Sequence, residues 1–541
     1  MRLCAVVLLS ACNLTTFNQS TSDASTPGDA GVPDASVVIT TPTEVVTTTS
    51  GEVRGETIDH VNRYLGIRYA APPTGALRWK PPALPPSWDG VRDATHFGAQ
   101  CAQNLIVASG SEDCLFLNVW APMPAIKRPV MFWIHGGAFT VGGADSLYPG
   151  LHHGLYDGQS LADTQQVLVV SLNYRLGPLG FLAIPELVRE DAHGSAGNYG
   201  LLDQIAALRW VHENIAAFGG DPAQVMIFGE SAGAYSVCAL LASPLAAGLF
   251  SSALMESGVC EMPTLSYRQT QQAQFAKQYQ CDGASDALAC LRAVPVDQLV
   301  AVPAPTFPPP GPADLPHVSA LSYGPNADGW VLPKSPIAML RDGTFNRVPV
   351  VIGSNQDEMA YFLKQGSIPT CVQYDALVLA QYGSSATKVL QRYRCLTYLT
   401  PTDAMIDLST DLQFTCPARR ALRAISAVTP GHAYRYSYAH TMSLSQFWAD
   451  RAFHTAEIPF VFDSFSAMPM VPTQNERELS ASMQGYWARF AATGNPNGAT
   501  ALAWSPYVPA NDNALVLDTP MSTTSAIKTA NCDLWDSLVE P

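Results

Sequence analysis

The chain has 541 residues, 47% hydrophobic and 14% charged, with 45 Asp and Glu against 30 Lys and Arg and a formal net charge of −15. That apolar fraction supports a large core and excludes a disordered chain, while the acidic balance excludes phosphate-backbone binding, which takes clustered Lys and Arg. No apolar run approaches the ~20 residues that span a bilayer.

A positive start at Met1-Arg2 and the apolar run Leu3 to Leu9 lead into Leu9-Ser10-Ala11-Cys12. Those four residues resemble the bacterial lipobox. The pattern predicts a signal segment over 1–12 with Cys12 lipidated, and so an exported protein, tethered to the cell envelope or secreted. Residues 13–45 are rich in Thr, Ser, Asp, Ala and Pro without periodicity and read as a solvated linker. Past residue 45 no comparable linker recurs, which predicts one domain over 46–541.

Within it, Val130 to Ile134, Val167 to Leu172, Val225 to Phe228, Phe250 to Met255 and Val348 to Ile352 read as buried strands. Asn198 to Ala217 and Ala232 to Leu241 read as helices between them. Short apolar runs separated by helices predict an α/β fold with a parallel or mostly parallel sheet. The Pro-rich stretch 303–316 reads as a surface loop of the same domain, because strands of one type stand on both sides.

The chemistry concentrates at Gly229-Glu230-Ser231-Ala232-Gly233, a G-x-S-x-G motif between a predicted strand and a predicted helix. That context suits a nucleophilic serine on a tight turn, with flanking glycines where a Cβ would clash. Upstream, His135-Gly136-Gly137-Ala138 follows another strand and matches an H-G-G-x oxyanion loop. The amides of Gly137, Ala138 and Ala232 are then candidate donors to a developing oxyanion. His135 lies upstream of the serine and reads as a brace rather than a base. In this motif class the acid and then the histidine follow the serine; Asp357 and Glu358 compete for the first role, and His432, His440 and His454 for the second.

These residues resemble the type-B carboxylesterase family, which includes the cholinesterases. Ser111-Glu112-Asp113-Cys114-Leu115-Phe116-Leu117-Asn118-Val119 is similar to the family's second signature, and Phe218-Gly219-Gly220-Asp221-Pro222 through Gly233 to its serine signature. Gly200-Leu201-Leu202-Asp203-Gln204 stands where the family has it, and Ala452-Phe453-His454-Thr455-Ala456-Glu457-Ile458 resembles its histidine loop. The resemblance runs from about residue 46 to the C-terminus and implies an α/β-hydrolase fold. It implies a serine esterase working through an acyl-enzyme, with Ser231 as nucleophile, Glu358 as acid and His454 as base. Glu230 is then expected to tune local water and charge, and Ser257 to support the triad from behind. A small-molecule ester is the expected partner, with no metal, cofactor or nucleic acid. An amidase or peptidase on the same scaffold is the alternative, and a non-catalytic binding module a more distant one.

The 12 cysteines include no C-x-x-C pair. By resemblance Cys101–Cys114, Cys281–Cys290 and Cys416–Cys532 form disulfides, as expected of an oxidising compartment. Cys371–Cys395 is a guess, and Cys238 and Cys260 are left open. One departure bears on substrate. Cholinesterases place a tryptophan in the first disulfide loop to hold a quaternary ammonium, whereas Ala102 to Asp113 contain no aromatic residue. Acetylcholine is therefore not an expected substrate.

Overall fold

The computed structural model describes residues 40–104, 107–124, 126–146, 154–301, 321–363, 366–444, 448–468 and 470–539. Its apolar runs form the middle of a 12-stranded sheet. In chain order the strands are β1 (Thr40–Pro42), β2 (Glu56–Ile58), β3 (Val61–Arg68), β4 (Phe116–Pro122), β5 (Arg128–Ile134) and β6 (Leu168–Leu172). They continue with β7 (Gly220–Glu230), β8 (Ser252–Glu256), β9 (Val350–Asn355), β10 (Ala433–Tyr438), β11 (Ala514–Leu517) and β12 (Ser522–Thr524). The spatial order is β1-β2-β3-β4-β6-β5-β7-β8-β9-β10-β11-β12. From β6 to β11 every neighbouring pair is parallel, and the two margins are antiparallel. This is the mostly parallel α/β sheet expected from the sequence.

The central strands read as unbroken apolar runs because both faces are covered. Val130, Phe132 and Ile134 of β5 and Val225 and Ile227 of β7 belong to one core, while Met131, Trp133, Met226 and Phe228 belong to the other. The first core takes Leu201 of α1 (Tyr199–Asn214), Ala234 of α2 (Ala232–Ala242) and Leu422 of α3 (Cys416–Val428). The second takes Met483, Trp487 and Phe490 of α4 (Gln474–Thr493). The Gly200–Gln204 stretch is held from within α1: Asp203, fully buried, receives Arg175 through Nε at 2.8 Å and Nη2 at 2.7 Å.

One boundary differs from the sequence reading. The segment taken as linker to residue 45 already contains β1, which pairs with β2, and Val46–Thr48, just past that boundary, pairs with Gly51–Arg54. Thr and Val are good strand formers even in a polar context, and an edge strand needs only one partner. Cys12 and the Pro-rich 303–316 stretch lie outside the described residues.

Among the described residues five disulfides are formed: Cys101–Cys114, Cys238–Cys260, Cys281–Cys290, Cys371–Cys395 and Cys416–Cys532. The last ties α3 to α5 (Thr529–Val539), where Arg419 also pairs with Asp533 and Asp536.

Chain order sets the place of the site. The chain runs from β5 to β6 on one side, then crosses to β7 on the other, and α/β sheets place their sites at the carboxyl ends of strands at such a switch. Ile134, Glu230 and Asn355 end β5, β7 and β9, and the residues after them meet there.

Candidate active site

Between β7 and α2, Ser231 has φ +53° and ψ −123°. A residue with a Cβ is strained there, by about 1–3 kcal/mol, and the surroundings hold it. Its N–H donates to the Glu256 carbonyl at 2.9 Å, and its carbonyl accepts from Tyr235 N–H at 2.9 Å. The flanking glycines are required by close approach: a Cβ at Gly229 would stand 2.6 Å from the Ile134 carbonyl oxygen, and one at Gly233 would collide with the same atom. The elbow is thus wedged against the end of β5.

That end carries His135-Gly136-Gly137-Ala138. Gly137, Ala138 and Phe139 all have positive φ, +103°, +53° and +60°. The Gly137 carbonyl accepts from Thr140 and Val141 N–H, both at 3.0 Å, closing a tight turn. A Cβ on Gly136 would sit 3.2 Å from Ser231 Cβ, so this loop lies directly against the serine. The amides of Gly137 and Ala138 have no acceptor among the described residues, and that of Ala232, at the first helical position of α2, has none within its helix. His135 is fully buried, bonded through Nδ1 to the Gly136 carbonyl at 2.8 Å and stacked on Tyr174 at 4.4 Å. Burial pushes it down to about 4, so it is a neutral brace near pH 7.

The loop after Gly137 is clamped from the first disulfide loop. Gln103, 1% exposed, accepts from Gly142 N–H at 2.8 Å and donates to the Gly142 carbonyl at 2.9 Å. Nothing in the local sequence of this loop singles out Gln103.

Of the histidine and acid candidates, one pair meets. His454 Nδ1 lies 2.6 Å from Glu358 Oε2, and its backbone N–H donates to the Glu358 carbonyl at 3.2 Å. Glu358 is fully buried, and its other oxygen accepts from Asn355 N–H at 2.7 Å. A carboxylate accepts and does not donate, so the His454 Nδ1 carries the proton and Nε2 keeps its lone pair. Asp357 faces Arg451 at 3.3 Å instead. His432 is exposed, and His440 lies 3.2 Å from Glu476. Around the imidazole stand Phe414 at 5.1 Å and Phe362 at 5.3 Å between ring centres. Phe414 sits in the π-helical turn Asp411–Thr415, a feature that recurs at functional sites.

The Ser231 hydroxyl makes no hydrogen bond among the described residues. His454 Nε2 instead lies 3.1 Å from Glu230 Oε1. Catalytic hydrogen bonds of a substrate-free site are commonly long and tighten when substrate binds.

Beneath the histidine lies a group of buried carboxyls. Glu230 and Glu256 are partners in register on β7 and β8, and both are fully buried. Glu256 accepts from Trp487 Nε1 at 2.7 Å, and burial pushes it up to about 8. Burial, reinforced by Glu358 and Glu256, raises Glu230 well above the usual carboxylate range. Glu457 is raised likewise, first by burial, and accepts from Asn355 Nδ2. Ser257 Oγ and Tyr436 OH in the same region are buried without a hydrogen-bond partner among the described residues. Glu256, Trp487 and Asn355 were not foreseen as part of the site, although Glu256 directly precedes Ser257, which was.

A family profile described as the carboxylesterase family matches residues 42–535. The chain belongs to the carboxylesterase family. It is 37% identical over 500 residues to the para-nitrobenzyl esterase of Bacillus subtilis, covering 88% of this chain and 96% of that protein. It is 34% identical to the human cocaine esterase, covering 90% of each. A solved para-nitrobenzyl esterase structure superposes with a TM-score of 0.77 at 34% identity, covering 91% of this chain and 99% of that one. The carboxylesterase is thus an α/β-hydrolase that hydrolyses carboxylic esters. Its five disulfides fit an oxidising compartment, and no helix among its described residues is long and apolar enough to cross a membrane.

Proposed function

We propose that Ser231 is the nucleophile of this carboxylesterase, His454 its base and acid, and Glu358 the carboxylate that fixes the histidine tautomer. The observation that carries the reading is the buried Glu358–His454 pair, 2.6 Å long, at the carboxyl ends of the strands beside a strained serine turn. In the acylation step His454 Nε2 takes the hydroxyl proton as Ser231 Oγ bonds to the ester carbonyl carbon. Glu358 stabilises the imidazolium that results. The amides of Gly137, Ala138 and Ala232 receive the oxyanion. His454 then returns its proton to the departing alcohol, and a water activated by the same Nε2 frees the acid and restores the serine. Glu230 sits 3.1 Å from that nitrogen, and burial, reinforced by Glu358 and Glu256, raises its carboxyl well above the usual carboxylate range. Ser257, buried behind the elbow, is assigned a supporting role.

The N-terminal assignments rest on sequence: a signal segment over 1–12, Cys12 as lipid attachment point, and a linker from 13 to the start of β1.

The ester assignment is tested with a p-nitrophenyl ester and the p-nitroanilide of the same acyl group. Faster turnover of the ester is expected; a faster anilide would make the protein an amidase.

The Gln103 clamp gives a second test. Gln103→Ala leaves both polar atoms of Gly142 without their buried partner and loosens the oxyanion loop. A displacement of about 1 Å at such a loop costs up to ~10²-fold in rate, so kcat is expected to fall about 10-fold or more with KM nearly unchanged. A rise in KM at constant kcat would assign Gln103 to substrate binding and remove it from oxyanion positioning.

A further inference from the structure

The region between β9 and β10 holds a helix that is apolar on both sides. In Cys371–Tyr382 the inward face is Tyr374, Val378 and Tyr382, all buried. The outward face repeats Val372, Ala376 and Leu379, with Val372 78% and Leu379 53% exposed. Gln373, Asp375 and Gln381 interrupt the apolar surface without covering it, and among the described residues nothing covers the outer face. The Cys371–Cys395 disulfide brings a second apolar group beside its first turn: Leu396 follows Cys395 and is 85% exposed, and Leu399 is 93% exposed. Single exposed apolar residues are ordinary, whereas several joined on one staple mark an interaction surface.

The charge beside this surface selects its occupant. The chain carries −15 overall, yet residues 366–400 hold three basic residues, Lys388, Arg392 and Arg394, against the single acid Asp375. All three basic residues are exposed. Arg392 donates through Nε to Asn531, and Lys388 and Arg394 have no acidic partner among the described residues. Arg394 and Leu396 flank Cys395, so the cations border the apolar group. A two-fold dimer through this face would set the same basic residues against each other. An anionic surface with an apolar interior satisfies both features at once, as for amphipathic segments that lie in a membrane interface.

We infer that the Cys371–Cys395 region is a docking surface for an anionic lipid bilayer, with Val372, Leu379, Leu396 and Leu399 entering the interface and Lys388, Arg392 and Arg394 meeting the headgroups. The inference does not rest on lipidation of Cys12 or on the catalytic assignments.

The test uses the full chain carrying Cys12→Ser, which removes the lipid as a source of binding, and sedimentation with vesicles of phosphatidylcholine with or without phosphatidylglycerol. Binding is expected to rise with phosphatidylglycerol content and to fall as salt is raised, since the Debye length shrinks from about 10 Å at 0.1 M to about 3 Å at 1 M. Val372→Ser with Leu396→Ser and Leu399→Ser is expected to lower partitioning at least 10-fold. Lys388→Glu with Arg394→Glu is expected to abolish the phosphatidylglycerol dependence. The substituted side chains are exposed, so both variants keep the hydrolysis rate on a soluble p-nitrophenyl ester, which reports folding. Absence of binding to the anionic vesicles, or equal binding by the apolar triple variant, overturns the inference. Concentration-dependent dimerisation that the triple variant removes would identify a second copy as the occupant and overturn it as well.

Discussion

Ser231→Ala is expected to lower kcat on a p-nitrophenyl ester by about 10⁶-fold, on the scale seen when a serine hydrolase loses its nucleophile. The substitution removes only the hydroxyl oxygen, and that oxygen makes no hydrogen bond among the described residues of the resting protein, so little folding stability is lost with it. Alanine also accepts the positive φ of the elbow no worse than serine. The backbone bonds from Ser231 N–H to Glu256 and from Tyr235 N–H to Ser231 remain. What remains is the oxyanion loop and the binding surface, which alone sustain a residual ~10³–10⁴-fold acceleration over water in such enzymes. Two readouts separate loss of chemistry from loss of fold. A stoichiometric burst of p-nitrophenol is expected from the parent and none from the variant, at equal thermal stability. Adding His454→Ala to Ser231→Ala is expected to cost little more, because residues that act as a unit are non-additive. Retention of more than about 1% of parental kcat by Ser231→Ala would remove the serine from the mechanism and leave the elbow as scaffold.

The core of this protein was legible where burial on both faces forced a continuous apolar run. Val130 to Ile134 and Val167 to Leu172 stand within a residue or two of their observed ends. The strand read as Val225 to Phe228 extends in the structure from Gly220, because its early polar residues still find a backbone partner beside Arg128. The strands β1, β2 and β3, at one margin of the sheet, were not read at all. They are short or mixed in polarity, and their existence depends on antiparallel neighbours rather than on their own pattern. At the site, the elbow and the glycine loop were visible because each demands particular residues at fixed local spacing. The buried links were not visible. Trp487 meets Glu256 across 231 positions, and Asn355 meets Glu457 across 102; Gln103 meets Gly142 across 39. No local pattern announces a hydrogen bond between residues that only the fold brings together. The choice of Glu358 over Asp357 comes from resemblance; in the structure Glu358 lies 2.6 Å from His454 while Asp357 lies 3.3 Å from Arg451.

That choice is open to a sharp test. Glu358→Gln is expected to reduce kcat by about 10⁴-fold, the size found when a triad carboxylate becomes an amide, and the structure dictates how. Glu358 Oε1 accepts from Asn355 N–H at 2.7 Å, while Oε2 lies 2.6 Å from His454 Nδ1. In glutamine the carbonyl oxygen must stay with the Asn355 donor, so the NH₂ group faces His454. Nδ1 then becomes an acceptor, the proton moves to Nε2, and the ring can no longer take the serine proton. Volume is unchanged and both hydrogen bonds persist, so the loss is one of tautomer rather than of packing. The control is Asp357→Asn, an equally small change on the adjacent residue, whose carboxylate lies 3.3 Å from the partly buried Arg451 and away from the histidine. Ion pairs of that exposure contribute about 0–1 kcal/mol, so kcat is expected to stay within about threefold. Raising the pH does not rescue Glu358→Gln, because the wrong tautomer is neutral and no deprotonation in the accessible range corrects it. If Asp357→Asn were the crippled variant and Glu358→Gln the active one, the histidine would have to leave its 2.6 Å partner to work, and Asp357 would be the acid.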